Sequence, residues 1–386
     1  VTPGDELSIA ALVDEVAARC GPWPPGDVPF LANLELLVGS CRRTDALNAT
    51  GRRVLRSAAL RHLRNLRYLQ DHVGARPEVV RRSLGTPVVI TGLPRTGTTL
   101  LHNLLALDPA ARILHFWEAL HPVPPEAGGP PAEALQAQAQ RWLEGFYDMV
   151  PDFRAIHAAT ATGPEECDAL LQNTFASQHF DDMFDAEEYS AWLAGAPLTS
   201  EYAHYALQLR VLSGPAAAGT WTLKSPSHLG HLDALVGALP GCAVVICHRH
   251  PGEAVASYAS LIQTLRRAYG DNVSAEAVGR QALLRAAAAM ERALDARAAT
   301  PSTTFVDVAY RDLAQDPVTT VGAVYRHLGR ELDGALEERL RRWVAANPRH
   351  KHGPHPYDLA RFGLTARGVE TAFERYLDSF GAMMAG

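Results

Sequence analysis

The chain has little cysteine: five in 386 residues, at Cys20, Cys41, Cys167, Cys242 and Cys247. The number is odd, the spacing is scattered and no C-x-x-C pair occurs. That argues against a disulfide framework and against a structural zinc site. No apolar run reaches the roughly 18–20 residues that a membrane-crossing helix needs. The start of the chain, with Asp5 and Glu6, lacks the basic stretch and apolar core of a signal peptide. An excess of positive charge is missing too. The net charge is −6 and the pI about 6.2, which excludes a general nucleic-acid footprint. These absences predict a soluble, cytoplasmic protein with no membrane and no nucleic-acid partner.

The charge is nevertheless uneven. Eleven arginines fall between Arg42 and Arg82, against Asp45, Asp71 and Glu78. Leu55, Ala59, Leu63, Leu66 and Leu69 keep helical spacing there, with the arginines mostly on other faces. The plain reading is a solvated helix face. The sharper one is a docking face for an acidic partner, such as a carrier protein bearing the substrate.

With 47% apolar residues the chain can bury a large core. Residues 5–82 read as helices, with breaks at Cys20-Gly-Pro-Trp-Pro-Pro25 and at Thr50-Gly51. Strand-like runs follow at 87–91, 220–224, 243–248 and 303–308, with a short one near Arg112 to Phe116. Helical stretches separate them, among them 275–298 and 366–383. Strands alternating with helices predict an α/β fold with a mostly parallel central sheet. Its ligands belong at the C-terminal strand ends. The expected organisation is a helical N-terminal extension, residues 1–82, packed on an α/β domain, residues 83–386.

The chemistry concentrates where Val88 to Ile90 runs into Thr91-Gly-Leu-Pro-Arg-Thr-Gly-Thr-Thr99. A strand, a tight loop and a helix N-terminus offer unpaired backbone N–H groups and the positive end of a helix dipole to one anion. A nucleoside-triphosphate loop has the same glycine spacing but ends Gly-Lys-Ser/Thr. Here Thr98 stands in place of the lysine, and the cation is Arg95, inside the loop. The loop suits an anion of another shape, such as a sulfated phosphate.

At these residues the chain resembles the sulfotransferases that use 3′-phosphoadenosine 5′-phosphosulfate (PAPS). Their phosphosulfate loop reads Pro-Lys/Arg-Ser/Thr-Gly-Thr/Ser-Thr, and Pro94, Arg95, Thr96, Gly97, Thr98 and Thr99 fit at every position. The resemblance implies a P-loop-like sulfotransferase fold and PAPS as co-substrate, released as PAP, with no metal required. His350 and His352 have no acidic or cysteine partner nearby in sequence, so no metal site is expected there. In the family an Arg and a Ser eight residues later hold the nucleotide 3′-phosphate. Arg249 and Ser257 match, on a second strand-to-helix junction whose first helical residue is Pro251. Arg349, Lys351, His352 and Gly353 resemble the basic-basic-Gly element that closes over the same phosphate.

For the transfer itself the resemblance implies two cations, Arg95 at the phosphosulfate bridge and Lys224 facing the sulfuryl group. It implies a base as well. Glu118 is the first choice, by its distance past the loop, and His157 the second; His228 lies two residues from the family's histidine. Gly163-Pro-Glu-Glu-Cys167 resembles a motif of the bacterial branch, with Glu165 read as a helix cap and Glu166 as a residue that could line the acceptor site. Asp181 and Asp182, in an acidic stretch, read as solvated surface. Phe116, Trp117, Phe153, Phe175 and Phe180 suggest an apolar acceptor. The expected activity is sulfuryl transfer to a hydroxyl of a small-molecule or carrier-bound acceptor. The rivals are a P-loop kinase and a non-catalytic PAP-binding module.

Overall fold

A computed structural model describes residues 6–45, 47–124, 130–156, 159–214, 219–347 and 358–384. Its centre is a sheet of five strands: β1 (Val88–Gly92), β2 (Ala111–Arg112), β3 (Thr220–Lys224), β4 (Ala243–His248) and β5 (Thr304–Ala309). All pairings are parallel and the order is β2-β3-β1-β4-β5. The first strand is therefore central, and the chain fills one side of it before the other. Ligand crevices form at such a switch point, beyond the carboxyl ends of the strands.

Every residue of β1 is buried, as expected of a parallel strand covered on both faces. Its period of two divides the interior. Val88 and Ile90 join Val245, Cys247, Val306 and Val308 against Leu101, Leu104 and Val321. Val89 joins Leu223, Val244 and Ile246 on the opposite face, against Tyr258, Ile262 and Met290.

The first six α-helices are α1 (Ile9–Cys20), α2 (Leu31–Arg43), α3 (Ala49–Ala75), α4 (Thr98–Leu105), α5 (Phe116–Leu120) and α6 (Ala132–Met149). Leu12, Leu37, Leu63 and Leu66 of α1–α3 belong to the same apolar cluster as Val89 and Val244. Their arginines are mostly engaged within the chain. Arg56 pairs with Glu15 at 2.5 Å, and Arg67 reaches Asp71 and the carbonyl of Pro22. No helix among the described residues is long and apolar enough to cross a membrane.

Three local expectations need correction. The break at Thr50-Gly51 is not a break: α3 runs through it, capped by Asn48, whose Oδ1 accepts from the Gly51 N–H at 2.8 Å. Gly51 is there because a Cβ would lie 2.2 Å from the carbonyl oxygen of Tyr269. The C-terminal helix is two, Ala366–Ala372 and Glu374–Met384, with a step at Phe373. Residues 162–165 do not cap a helix, because Glu165 donates its N–H to Leu114 O at 2.8 Å and the next helix starts at Asp168.

Candidate active site

A cavity of about 730 Å³ opens at the carboxyl ends of β1, β3 and β4. The loop after β1 forms one wall. Gly92 has φ 149° and a Cβ there would lie 2.4 Å from Cys247 O, so only glycine lets β1 and β4 run this close. Gly97 has φ 90°, and a Cβ would meet the Tyr310 ring at 2.8 Å. Between them Arg95 adopts φ 73°, a left-handed backbone that a non-glycine residue holds only when its surroundings enforce it. Gly97, Thr98 and Thr99 bring the N-terminus of α4 to the cavity wall, where helix N–H groups lack intrahelical partners. The Thr96 hydroxyl is turned inward and donates to Leu93 O at 2.7 Å, so its side chain closes the loop.

Arg249 and Ser257 come close to this loop because β4 lies directly beside β1, Gly92 opposite Cys247. Arg95 Nε donates to Ser257 Oγ at 3.0 Å. Arg249 Nη1 donates to the carbonyl of Arg95 at 2.9 Å. Arg249 also pairs with Glu253 at 2.5 Å and lies 4.3 Å over the Tyr310 ring. Arg95 thus ties the loop to Ser257.

Lys224 ends β3, paired with Ile90 of β1, and is 2% exposed. Its ammonium donates to Thr99 Oγ1 at 3.3 Å and forms an ion pair with Glu166. The segment carrying Glu165 and Glu166 is pinned along this edge, with Glu165 N–H on Leu114 O and Cys167 N–H on Lys224 O at 2.9 Å. Both carboxylates line the cavity. Burial, with Glu166 adding repulsion, pushes the Glu165 carboxyl up to about 7.

Glu118 lies on the helix that follows β2. It is buried in α5 and does not line the cavity. Arg112 grips both its oxygens, at 2.5 and 3.0 Å, and its Oε2 accepts from the His115 N–H at 3.0 Å. The carboxylate is a clamp between β2 and α5. His228 is also removed from the cavity: it is fully buried between Cys167 Sγ at 3.0 Å and Tyr202 OH at 2.8 Å, and burial lowers it to about 3. His157, Arg349, Lys351, His352 and Gly353 lie outside the described residues.

The sequence reading also missed residues. Asp181 and Asp182 are not solvated surface. Asp181 is buried and ion-paired with Arg285. Asp182 faces the cavity and accepts from Tyr258 OH at 2.6 Å, with burial raising it to about 7. Arg266 and Arg285, two cations on otherwise apolar helix faces, were the available signal. Asp168 also reaches the cavity, accepting from Ser177 at 2.5 Å and Ser227 at 2.9 Å, and burial raises it to about 6. Of the five aromatic candidates Phe116, Phe153 and Phe180 line the cavity, whereas Trp117 and Phe175 do not. α6 contributes Trp142 and Phe146, stacked at 5.7 Å.

Comparison with known proteins follows the same lines. A model of the sulfotransferase family matches residues 87–334. The structure of sulfotransferase STF9 from Mycobacterium avium superposes with a TM-score of 0.82, 28% identity and 96% of each chain covered. That of sulfotransferase STF1 from Mycobacterium tuberculosis H37Rv gives 0.82 and 29%, over 96% of this chain and 98% of the other. Among curated protein sequences nothing matches. The family match spans more than half the chain, from β1 past β5, and both solved relatives extend over the N-terminal helices too; the chain belongs to the sulfotransferase family.

Proposed function

We propose that the chain transfers a sulfuryl group from PAPS to a hydroxyl of an acceptor with an apolar body, free or carrier-bound. The observation that carries this reading is the contact of Arg95 with Ser257 and Arg249, on the same loop whose Thr99 hydroxyl accepts from Lys224. Two anion-binding sets share a cleft, as a donor charged at both ends requires. Arg249 and Ser257 would hold the 3′-phosphate, with Arg349, Lys351, His352 and Gly353 completing that end as the family resemblance implies. The 94–99 loop would hold the 5′-phosphate, its backbone N–H groups and Thr99 hydroxyl facing oxygen.

In the transfer the acceptor oxygen bonds to sulfur, and the bond from sulfur to the bridging phosphate oxygen breaks. The electron pair leaves with PAP. Lys224 has three N–H donors, and Thr99 and Glu166 engage two of them. The third can follow charge onto the leaving oxygen. Arg95, on its present partners, sits nearer the 3′-phosphate residues and would bridge the two ends. Glu166 replaces Glu118 as the base, because it reaches both Lys224 and the cavity. Glu165 beside it is raised towards neutrality by burial and by the Glu166 charge, which leaves Glu166 as the partner of Lys224.

Calorimetry with PAP and AMP, without Mg²⁺, tests the donor assignment. PAP should bind far more tightly than AMP, and Arg249→Ala should remove most of the difference. Equal affinity for the two nucleotides would refute the 3′-phosphate site. Dependence on Mg²⁺ and ATP would favour a kinase instead.

A further inference from the structure

One face of α3, Val54, Ser57, Ala58 and Arg61, turns into the cavity. Arg61 is out of place on it. Its neighbours there are apolar apart from Ser57, and its guanidinium carbon lies 5.3 Å from the centroid of the Trp142 ring. The only hydrogen-bond partner it finds among the described residues is the adjacent His62, Nη2 to Nε2 at 3.2 Å. No described carboxylate lies within ion-pair distance of it. Each acid that lines the cavity is engaged elsewhere: Glu165 with the Glu166 N–H, Glu166 with Lys224, Asp168 with two serines, Asp182 with Tyr258.

The surroundings deepen the imbalance. Arg64, one turn along α3, and His121, at the end of α5, both interact electrostatically with Arg61 or with each other. Arg61 Nε, Arg64 Nε and His121 Nε2 are all buried without a hydrogen-bond partner. Burial and Arg64 push Arg61 down to about 10, and no acid offsets them. Trp142 offers that guanidinium a cation–π face, but a half-buried cation held against a second cation remains costly unless an anion arrives to pair with it.

We propose that Arg61, supported by Arg64, is a specificity residue that receives a carboxylate carried on the apolar body of the acceptor. The fork of the guanidinium suits a planar carboxylate, and the stacked Trp142 and Phe146, which line the same cavity as Arg61 and Glu166, would cover the acceptor's apolar body. The acceptor is then a hydroxylated aromatic or aliphatic acid. This rests on the sulfotransferase reading only for what happens to the hydroxyl.

The test is a matched pair, 3-(4-hydroxyphenyl)propionate and its methyl ester, titrated calorimetrically into the protein with and without PAP. The acid should bind about tenfold or more tightly than the ester, and added salt should erode that preference. Arg61→Gln should bring the ratio close to one, and Arg61→Lys should keep part of it. An acid that binds no better than its ester, including the case where neither binds, overturns the proposal. Equal weakening of both ligands in Arg61→Gln overturns it too, since that is what a merely structural arginine would give. If the glutamine variant does not fold, the lysine variant and the salt dependence of the wild-type ratio decide. PAP affinity and transfer to the ester report on the sulfotransferase reading separately.

Discussion

Among the chain's 36 basic side chains only Lys224 and Lys351 are lysines. Lys224 sits where a compact point charge is useful: nearly sealed, with Thr99 and Glu166 fixing two of its protons. A guanidinium is planar and wider, and cannot place one N–H in the same spot. Lys224→Met should therefore lower kcat by about 10²–10³-fold, and Lys224→Arg by nearly as much. The loss should appear in kcat and not in the affinity for PAP, which lacks the sulfuryl group. A Lys224→Met enzyme with full turnover would remove this residue from the mechanism. The two candidate bases separate in the same assay. Glu166→Gln should depress kcat, and it should lower the thermal midpoint as well, because it leaves the buried Lys224 ammonium short of its counter-charge. Glu118→Gln should cost about 1–3 kcal/mol of stability by leaving the Arg112 clamp short of its charge, while turnover per folded molecule survives. The reverse pattern would restore Glu118. Spacing alone could not separate these roles, because a glutamate three residues into a short helix can cap it or face a ligand. What decides is Arg112, held over the Trp221 ring at 4.4 Å by the pairing of β2 with β3.

At the scale of elements, the strands and the two strand-to-helix junctions were legible because their causes are local. Val88 to Ile90 is apolar on both faces, Pro251 suits a first helical turn, and Asp316 caps the helix that Pro317 begins, accepting from the Thr319 N–H at 3.1 Å. The failures were where a distant partner sets the conformation. Gly51 looks like a helix breaker, yet it is a contact point: the carbonyl of Tyr269, at the end of the helix Pro251–Tyr269, accepts from the Asn48 N–H at 2.9 Å and leaves no room for a Cβ at Gly51. The same α3 helix contains its own control, since a Cβ at Gly74 would meet nothing within 4 Å. Gly74→Ala should stabilise the protein by up to about 1 kcal/mol through helix propensity. Gly51→Ala should destabilise it by about 1–3 kcal/mol through overpacking. Denaturant unfolding of the two variants would show opposite signs. If both stabilise, α3 is not seated against the Pro251–Tyr269 helix as described, and the cavity wall it forms loses its support.

For the whole molecule, the composition foretold a large core but not how many titratable groups that core would hold. Burial lowers His102 and His228 to about 3, and His204 and His231 to about 4. An unfolded chain binds a proton on each near pH 6.5, so between those values the unfolded state carries more protons and stability falls as the pH drops. Glu165, Asp168 and Asp182 act in the opposite sense. Raised to about 7, 6 and 7, they hold protons in the folded state that the unfolded chain has released above its ordinary carboxylate range, so their share of stability is lost as pH rises from about 4 to 7. The two sets partly cancel in the overall curve, and a single-site comparison is the sharper test. His102 is the best choice, because it is buried, among the described residues bonds only the carbonyl of Thr222 at 3.2 Å, and has Lys224 as the cation that lowers it. Urea unfolding from pH 7 to pH 4 should show the wild type losing stability more steeply than His102→Gln, by a slope of about one proton per molecule between roughly pH 4 and 6. Parallel curves would mean that His102 is already charged or already exposed in the folded state. In that case the packing of α4 on β3, which positions Thr99 beside Lys224, would not be the one described.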